Sequence, residues 1–343
     1  MKRVLTGIKP TGVPHLGNVL GAILPAVELA QRSDHESFLF IADLHSLTVR
    51  PDPEALRAQT RAVAASWLAC GLDPQRVVFY RQSDVPEIPK LSWILSCSMP
   101  LGLLNRAHSF KDALAKGATA DEVNVGLYAY PVLMAADILA FDADLVPVGK
   151  DQKQHLEITQ EAARRFNLRY GEVFKVPDAV VDADVMTIPG LDGRKMSKSY
   201  DNTLVVFDDE KTMWKRIKSV ATDSTPYGEP LSTEDDVLFQ LTCAIQPDRR
   251  ASLARQYTTG RKNPELSGPE RDASANYFGW GDAKKALLQA AVERFADARQ
   301  RYRHWTTHPD ELEDCLRHGA EKARHFARAV LDRVEASLGL SWV

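Results

Sequence analysis

Short buried-strand patterns alternate with helical patterns through the first half of the chain. Residues 3–6, 37–41 and 77–81 have the composition of buried strands, and residues 54–70 form a helical pattern between the second and third runs. Strands joined through a helix pair in parallel, because the helix carries the chain back to the starting end of the sheet. This order predicts an α/β fold with a doubly wound parallel sheet.

The same order continues further along the chain. Residues 145–149 are predicted as a buried strand and turn, residues 151–165 as the next helix, and residues 185–188 as another strand. A helix is also expected after the glycines at 17 and 21. Pro25 should kink that helix, because proline removes one of its hydrogen bonds.

Beyond residue 200 the pattern changes to helices with few strand signals. Helices are predicted at 209–219, 236–245, 282–303 and 310–338. The last has an apolar stripe formed by Leu312, Leu316, Phe326, Val330, Val334 and Leu338. A chain of 343 residues has room for about two domains. We therefore expect an α/β domain over 1–200, a smaller all-helical domain over 201–305, and a C-terminal helix over 306–343 that packs back on the first domain.

The charge balance argues against a global positive field. Lys plus Arg numbers 43 and Asp plus Glu 46, so the net charge is −3. A polyanionic partner would therefore have to be held by local positive patches. The apolar stretches fall short of the roughly 18 residues of a membrane span, and no signal-like region follows the N-terminus. We expect a soluble, cytosolic protein that does not contact a membrane.

Neither the cysteines nor the histidines indicate a metal site. The four cysteines lie far apart, which predicts buried thiols rather than a zinc site or disulfides; they are Cys70, Cys97, Cys243 and Cys315. His304 and His308 have the spacing of ligands on one helix face, but residues 305–307 and the following Pro309 are typical of an interhelical loop. Ordinary surface histidines are favoured there, and no protein-bound metal is expected.

The first predicted strand leads into a loop that opens a helix at a glycine. This segment contains His15, Gly17 and Asn18. A glycine at a helix start lets a ligand approach the backbone, and the free N–H groups there favour a phosphate. A packing glycine beside a capping residue explains the pattern about as well, so this motif alone leaves both interpretations open.

A second motif has two lysines three residues apart in a loop flanked by glycines. It reads Lys195-Met196-Ser197-Lys198-Ser199 and follows Gly190 and Gly193. Two such lysines can place positive charge against a polyphosphate, and the serines add hydroxyl donors. By chance this pentapeptide occurs in roughly one chain in several thousand. A solvated basic turn is therefore the weaker interpretation.

Together the two motifs resemble the paired nucleotide-binding signatures of class I aminoacyl-tRNA synthetases. Between them, the segments 10–12, 43–45, 82–86, 130–139 and 146–155 are similar to those of bacterial tryptophanyl-tRNA synthetases. The similarity covers essentially the whole chain, including residues 318–323 of the helical tail. It implies a Rossmann-like catalytic domain, a helical anticodon-binding domain and a homodimer.

The resemblance also implies a reaction that needs no protein nucleophile. The carboxylate of L-tryptophan attacks the α-phosphorus of ATP, and the activated acyl group then passes to tRNA(Trp). Positioning and charge neutralisation would be supplied by four residues: His15, Asn18, Lys195 and Lys198. Mg²⁺ would arrive with ATP. The implied ATP site consists of Lys9, Pro10, Thr11, Gly17, Asn18, Gly149, Lys150, Asp151, the backbone near Val185, Lys195, Met196, Ser197, Lys198 and Ser199.

Asp137 is the candidate for amino-acid selection, because a carboxylate inside an apolar run needs a donor. Indole offers one N–H donor and no acceptor. The resemblance assigns Asp137 this role, with neighbours Leu5, His45, Tyr130, Met134, Ile138, Val146, Val148 and Gln152. The alternative is that Asp137 caps a helix or pairs within one, and that Met134 is ordinary core. Packing roles for Tyr130, His45 and Gln82 also remain open.

Three positions depart from the commoner family pattern. Lys9 and Lys150 stand where many relatives carry a glutamine and a glutamate, and Ala113 stands where relatives often carry a lysine. We expect Lys9, Lys150 or Lys116 to supply the missing charge. Lys150→Glu should then slow ATP–pyrophosphate exchange well beyond about twofold.

A basic segment, residues 211–218, is the candidate tRNA contact. It carries four cations in eight residues, although a solvated helix face explains any single one about equally well. Two rival functions fit many of the same motifs. A tyrosyl-tRNA synthetase shares the architecture but must satisfy a phenol hydroxyl, and a catalytically inactive synthetase-like protein would bind tRNA or amino acid without exchange activity.

Overall fold

Five parallel strands form the sheet at the centre of the chain. A computed structural model describes residues 1–105, 117, 119, 123–149, 152–181 and 188–340. The strands are β1 (Lys2–Ile8), β2 (His35–Ile41), β3 (Val78–Arg81), β4 (Leu145–Val148) and β5 (Asp178–Val181). Their order is β3-β2-β1-β4-β5, and every pair is parallel. The predicted α/β fold with a doubly wound parallel sheet is confirmed.

The described helices follow the predicted order with several additions. In the first half they are α1 (Leu16–Asn18), α2 (Leu24–Ala30), α3 (Asp43–Ser46), α4 (Pro53–Ala69), α5 (Glu87–Ser98), α6 (Leu101–Leu104), α7 (Val125–Leu139) and α8 (Lys153–Tyr170). Later come α9 (Glu210–Lys218), α10 (Val237–Ile245), α11 (Arg250–Thr259), α12 (Trp280–Arg294), α13 (Ala296–Thr307) and α14 (Pro309–Ser337). A π-helical segment, Val19–Ile23, joins α1 to α2. None of the helices in the described part of the chain is long and apolar enough to cross a membrane.

The chain divides into two compact units, each built from separate segments. Unit 1 takes Met1–Gly12, Ala26–Val185 and Trp305–Val343. Unit 2 takes Val13–Pro25 and Met186–His304. The strands belong to unit 1, whereas the His15 segment and the second motif both belong to unit 2.

In unit 1 the long C-terminal helix α14 packs against the edge strand β3. A helix that covers an edge strand keeps its unpaired backbone groups from pairing with another chain. Gly319 makes this packing possible, because an added Cβ there would lie 1.6 Å from the carbonyl oxygen of Phe79. Of the predicted apolar stripe, Leu312, Leu316, Val330 and Val334 are buried, and Phe326 and Leu338 pack against the core.

Several local predictions were wrong. The single helix predicted over 282–303 is two helices that break at Phe295. Residues 305–307, predicted as a loop, complete α13, and His304 and His308 are exposed. The thiols were predicted to be buried, but Cys97 is exposed. The strand predicted over 185–188 stays a prediction, because residues 185–187 lie outside the described residues; Ile188 itself is not in a strand.

Candidate active site

The candidate residues of unit 1 follow the carboxyl ends of neighbouring strands. Lys9 follows β1, Asp43 and His45 lie just after β2, and Gln82 follows β3. Parallel strands point the same way, so these residues meet at one edge of the sheet. The sheet order reverses between β1 and β4, where doubly wound folds form their binding crevice. Gly149, directly after β4, lies at the same edge.

Asp137 is a buried carboxylate with a donor on each oxygen. Helix α7 carries it, and its residue is 1% exposed. His45 Nε2 lies 2.9 Å from Asp137 Oδ2, and Gln82 donates its amide N–H to Asp137 Oδ1 at 2.7 Å. Burial raises the pKa of Asp137, and the contacts from His45 and Gln82 oppose that rise. Asp137 is therefore paired with residues that follow β2 and β3, and the alternative of a partner within its own helix is wrong.

Gln82 is oriented by the backbone that follows β2. Its Oε1 accepts the N–H of Leu44 at 3.1 Å, so its amide N–H₂ must face Asp137. Asp43 accepts from the N–H of Ser83 at 3.0 Å and from the Ser83 hydroxyl at 2.5 Å. The sequence left the role of Gln82 open and assigned none to Asp43 or Ser83. The sequence could have indicated this contact, because Asp43 follows β2 and Gln82 and Ser83 follow the neighbouring strand β3.

An apolar wall accompanies the carboxylate. Met134 lies one helical turn before Asp137 on α7 and packs against the core cluster of unit 1. The other predicted apolar neighbours are buried members of that cluster: Leu5, Ile138, Val146 and Val148. The structure thus gathers five of the predicted tryptophan-site residues in one core.

Tyr130 and His155 extend the polar part of this region. The Tyr130 hydroxyl contacts His155 Nε2, and the Tyr130 ring meets that of His45 edge-on at 6.1 Å between centroids. His155 is 3% exposed and was not assigned a role from the sequence. Gln152 precedes α8 and donates its N–H to the carbonyl of Gly149 at 2.9 Å.

The predicted ATP residues of unit 1 are described only in part. Lys9 Nζ donates to Thr48 Oγ1 at 3.4 Å, and burial lowers the pKa of this lysine. The carbonyl of Pro10 accepts from the Ser46 hydroxyl at 3.4 Å, and Thr11 is exposed. Lys150, Asp151 and Val185 lie outside the described residues, as do Ala113 and Lys116.

In unit 2, His15 and Asn18 cap a short helix reciprocally. The N–H of His15 donates to Asn18 Oδ1 at 3.2 Å, and the N–H of Asn18 donates to His15 Nδ1 at 3.3 Å. Because Nδ1 accepts, the proton of the neutral imidazole lies on Nε2. Burial, and then the charge of Lys198, lower the pKa of His15 to about 4. His15 is thus a neutral ring that can donate from Nε2.

The two sequence motifs meet within unit 2. The N–H of Gly17 donates to Met196 Sδ at 3.4 Å, although the two residues are 179 positions apart. The N–H of Leu16 donates to the carbonyl of Leu204 at 2.7 Å. Met196 is 4% exposed, so the methionine of the second motif is a buried anchor. An added Cβ at Gly17 would lie 3.1 Å from the His15 ring and 3.6 Å from Met196 Cβ, so a glycine here lets the two motifs pack closely.

The remaining side chains of the second motif are more exposed. Lys195 and Lys198 are both exposed, and partial burial of its ammonium group lowers the pKa of Lys198. The hydroxyls of Ser197 and Ser199 lie 2.7 Å apart. The unit thus brings a neutral histidine, a lysine with a lowered pKa and two hydroxyls into one short stretch of structure.

Helix α9 contains the basic segment predicted to contact tRNA. Lys211, Lys215 and Lys218 are exposed. Arg216 instead donates to the carbonyl of Asp201 at 2.5 Å and pairs with its carboxylate at 2.9 Å. Arg216 is therefore committed to the loop after the second motif, which local sequence did not indicate.

Comparison with known proteins identifies the family. A family model described as "tRNA synthetases class I (W and Y)" matches residues 1–296. The chain belongs to this family of class I tRNA synthetases. The tryptophan–tRNA ligase of Neisseria meningitidis is 43% identical over 99% of this chain and 98% of that protein. The tryptophan–tRNA ligase of Xanthomonas campestris is 45% identical over 98% of this chain and 76% of that protein.

Solved structures agree with the sequence matches. The tryptophanyl-tRNA synthetase of Campylobacter jejuni, complexed with ADP and tryptophan, superposes with a TM-score of 0.88 at 40% identity, over 98% of this chain and 100% of that one. The tyrosyl-tRNA synthetase of Archaeoglobus fulgidus gives a TM-score of 0.61 at 20% identity, covering 88% of this chain and 90% of that one, and shows the shared fold alone. The expected membership among bacterial tryptophanyl-tRNA synthetases is confirmed.

Proposed function

We propose that this chain activates L-tryptophan with ATP and Mg²⁺ and transfers the tryptophanyl group to tRNA(Trp). The activity is tryptophan–tRNA ligation, which the curated relatives carry in their names. In the first step the tryptophan carboxylate attacks the α-phosphorus and pyrophosphate leaves. In the second, the terminal ribose of tRNA displaces AMP from the adenylate. We expect the protein to act in the cytoplasm as a homodimer.

The observation that carries the tryptophan assignment is the buried Asp137. Its carboxylate is held by His45 and Gln82 and lies on the same helix as Met134. Each carboxylate oxygen has two acceptor sites, so a further N–H can be accepted beside each existing donor. An indole N–H meets that need in a largely apolar setting, and a methionine sulfur is a favourable neighbour for an aromatic ring. Leu5, Ile138, Val146 and Val148 supply the apolar contacts, with Tyr130, His45 and Gln152 as polar neighbours.

We assign the phosphate chemistry of unit 2 to His15, Asn18, Lys195 and Lys198. A neutral His15 donates from Nε2 to a phosphate oxygen, and the two lysines offset the charge that grows on the departing pyrophosphate. Gly17 permits close approach of the backbone, and Met196, Ser197 and Ser199 complete the loop. Lys9, Pro10, Thr11, Gly149, Lys150, Asp151 and the backbone at Val185 are assigned to the same nucleotide. Mg²⁺ bridges phosphate oxygens and enters as part of the ATP substrate.

ATP–pyrophosphate exchange measured with each of the common amino acids tests the proposal. Exchange should depend on tryptophan and should be largely lost in Asp137→Ala. Asp314→Ala serves as the matched control, because its side chain is 64% exposed on α14. Exchange stimulated by tyrosine instead would favour the tyrosyl rival, and tryptophan binding without exchange would favour the inactive rival.

A further inference from the structure

The loop that carries Lys195 and Lys198 is closed by one buried amide. Asn202, three residues after Ser199, is 3% exposed. Its Oδ1 accepts the N–H of Ser197 at 2.8 Å, and its Nδ2 donates to the carbonyl of Lys195 at 3.1 Å. One side chain therefore bonds two backbone groups inside the motif.

Asn202 also bonds the residues that precede the motif. Nδ2 donates to Asp192 Oδ1 at 2.7 Å, and the carbonyl of Asn202 accepts the N–H of Leu191 at 2.8 Å. These contacts join the two arms of the loop across its base. Removing a partner from such a buried set leaves polar groups unsatisfied, which costs more than the hydrogen bond itself.

The opposite arm is shaped to receive this amide. An added Cβ at Gly190 would lie 2.1 Å from Asn202 Nδ2, so the glycine leaves the space that the side chain occupies. The N–H of Gly190 donates to the carbonyl of Arg194 at 2.6 Å, which closes a tight turn before the motif. The glycine that flanks the motif thus has a definite role.

We propose that Asn202 is a positioning residue for ATP, which fixes the backbone of Lys195 and Ser197 so that the loop meets the triphosphate in one conformation. Its role is indirect, because its side-chain hydrogen bonds go to Ser197, Lys195 and Asp192 of the loop itself. The inference rests on the proposed function, because the benefit of a fixed loop is realised when ATP binds. A preorganised loop reduces the ordering cost of binding.

Asn202→Asp is the most specific test, because it keeps the size of the side chain and replaces Nδ2 by an acceptor. That oxygen then faces two acceptors, Asp192 Oδ1 and the carbonyl of Lys195. The KM for ATP in the exchange reaction should rise about tenfold or more, as expected for the loss of two buried hydrogen bonds. The KM for tryptophan should stay within about twofold of the wild type.

A second substitution tests whether the donor contact is the cause. Adding Asp192→Asn to Asn202→Asp returns a donor to this contact and restores the wild-type charge. The double variant should recover part of the lost ATP affinity. If Asn202→Asp leaves the KM for ATP unchanged, or if the double variant recovers none of it, the proposal is wrong.

The matched control is Asn276→Asp in a different loop of unit 2. Asn276 is 7% exposed, accepts the N–H of Asn263 at 2.8 Å and donates to the carbonyls of Asn263 and Arg271 at 3.3 and 3.1 Å. It is thus a buried loop asparagine with similar bonding. A general loss of stability would affect both variants, and an equal rise in the KM for ATP in the control would overturn the proposal.

Limited trypsin digestion provides a readout that does not depend on activity. Cleavage after Arg194, Lys195 and Lys198, assigned by mass spectrometry, should be faster in Asn202→Asp than in the wild type or Asn276→Asp. Unchanged cleavage would count against Asn202 as the loop anchor. Absence of tryptophan-dependent exchange in the wild type would instead overturn the proposed function, while the digestion would still decide whether Asn202 holds the loop.

Discussion

Gln82 donates its amide N–H to Asp137 at 2.7 Å while its own carbonyl accepts the N–H of Leu44. The amide is fully buried, so neither group can turn to water. This relationship fixes which face of the Asp137 carboxylate remains for a ligand. The proposed selection of tryptophan by Asp137 therefore depends on Gln82, a residue at the end of another strand.

Gln82→Glu should raise the KM for tryptophan in the exchange reaction by about tenfold or more. The new carboxylate still accepts from Leu44 but faces Asp137 with an acceptor, and two buried carboxylates cannot both stay ionised at this distance. Gln75→Glu, on the exposed surface, is the matched control. An unchanged KM for tryptophan in Gln82→Glu would show that Asp137 is held by other means.

His15 should titrate near pH 4, well below an ordinary histidine, because burial and Lys198 disfavour its charged form. NMR titration of the imidazole, assigned by comparison with His15→Asn, measures this directly. The folded pKa is lower than the unfolded value of about 6.5, so stability falls as the pH drops from about 6.5 toward 4. His15→Asn should lose less stability over this window in urea unfolding. A midpoint near 6.5 would contradict the neutral, donating ring.

The exposed lysines of α9 should act on tRNA. Replacing Lys211, Lys215 and Lys218 together by serine should raise the KM for tRNA in aminoacylation and make its salt dependence shallower by about two to three units in the logarithmic slope. A triple serine variant at the exposed Lys2, Lys285 and Lys322 is the control for net charge. Equal effects in the two variants would mean that α9 contributes only general charge.

Gly319→Ala should destabilise unit 1, because the added methyl group would collide with the Phe79 carbonyl and push α14 from β3. Overpacking of this kind costs about 1–3 kcal/mol, measurable by urea unfolding. Gly281→Ala is the control, since it lies in α12 with nothing within 4 Å of the added Cβ. Alanine there should be neutral or stabilising, because alanine is the better helix former.

The strands β1 to β4 could be predicted because each is a short apolar run beside a clear helix or turn. β5 was not predicted, since Asp178–Val181 is short and the sequence favoured a strand further along the chain, at 185–188. Helix α7 was also not delimited, because it is apolar nearly all round and contains Pro131. Neither feature shows the periodicity on which a sequence prediction depends.

The candidate site, too, could be predicted from the sequence only in part. Asp137 could be singled out from its sequence neighbours, since a charge in an apolar run requires a partner. Its partners could not be named, because His45 and Gln82 are 92 and 55 positions away and meet it only through the sheet order. Likewise, nothing local to Arg216 or Asn202 reveals that they bond the loop of the second motif.

Unit 2 incorporates a short piece, Val13–Pro25, taken from near the start of the chain. The bonds from Leu16 to Leu204 and from Gly17 to Met196 fasten that piece to the later segment. In a chimaera with a single crossover between residues 25 and 186, His15 and Lys198 would therefore come from different proteins. The later segment of unit 2 can therefore be exchanged between relatives in only two ways. Either residues 13–25 are exchanged together with it, or both proteins have compatible residues at the Leu16–Leu204 and Gly17–Met196 contacts.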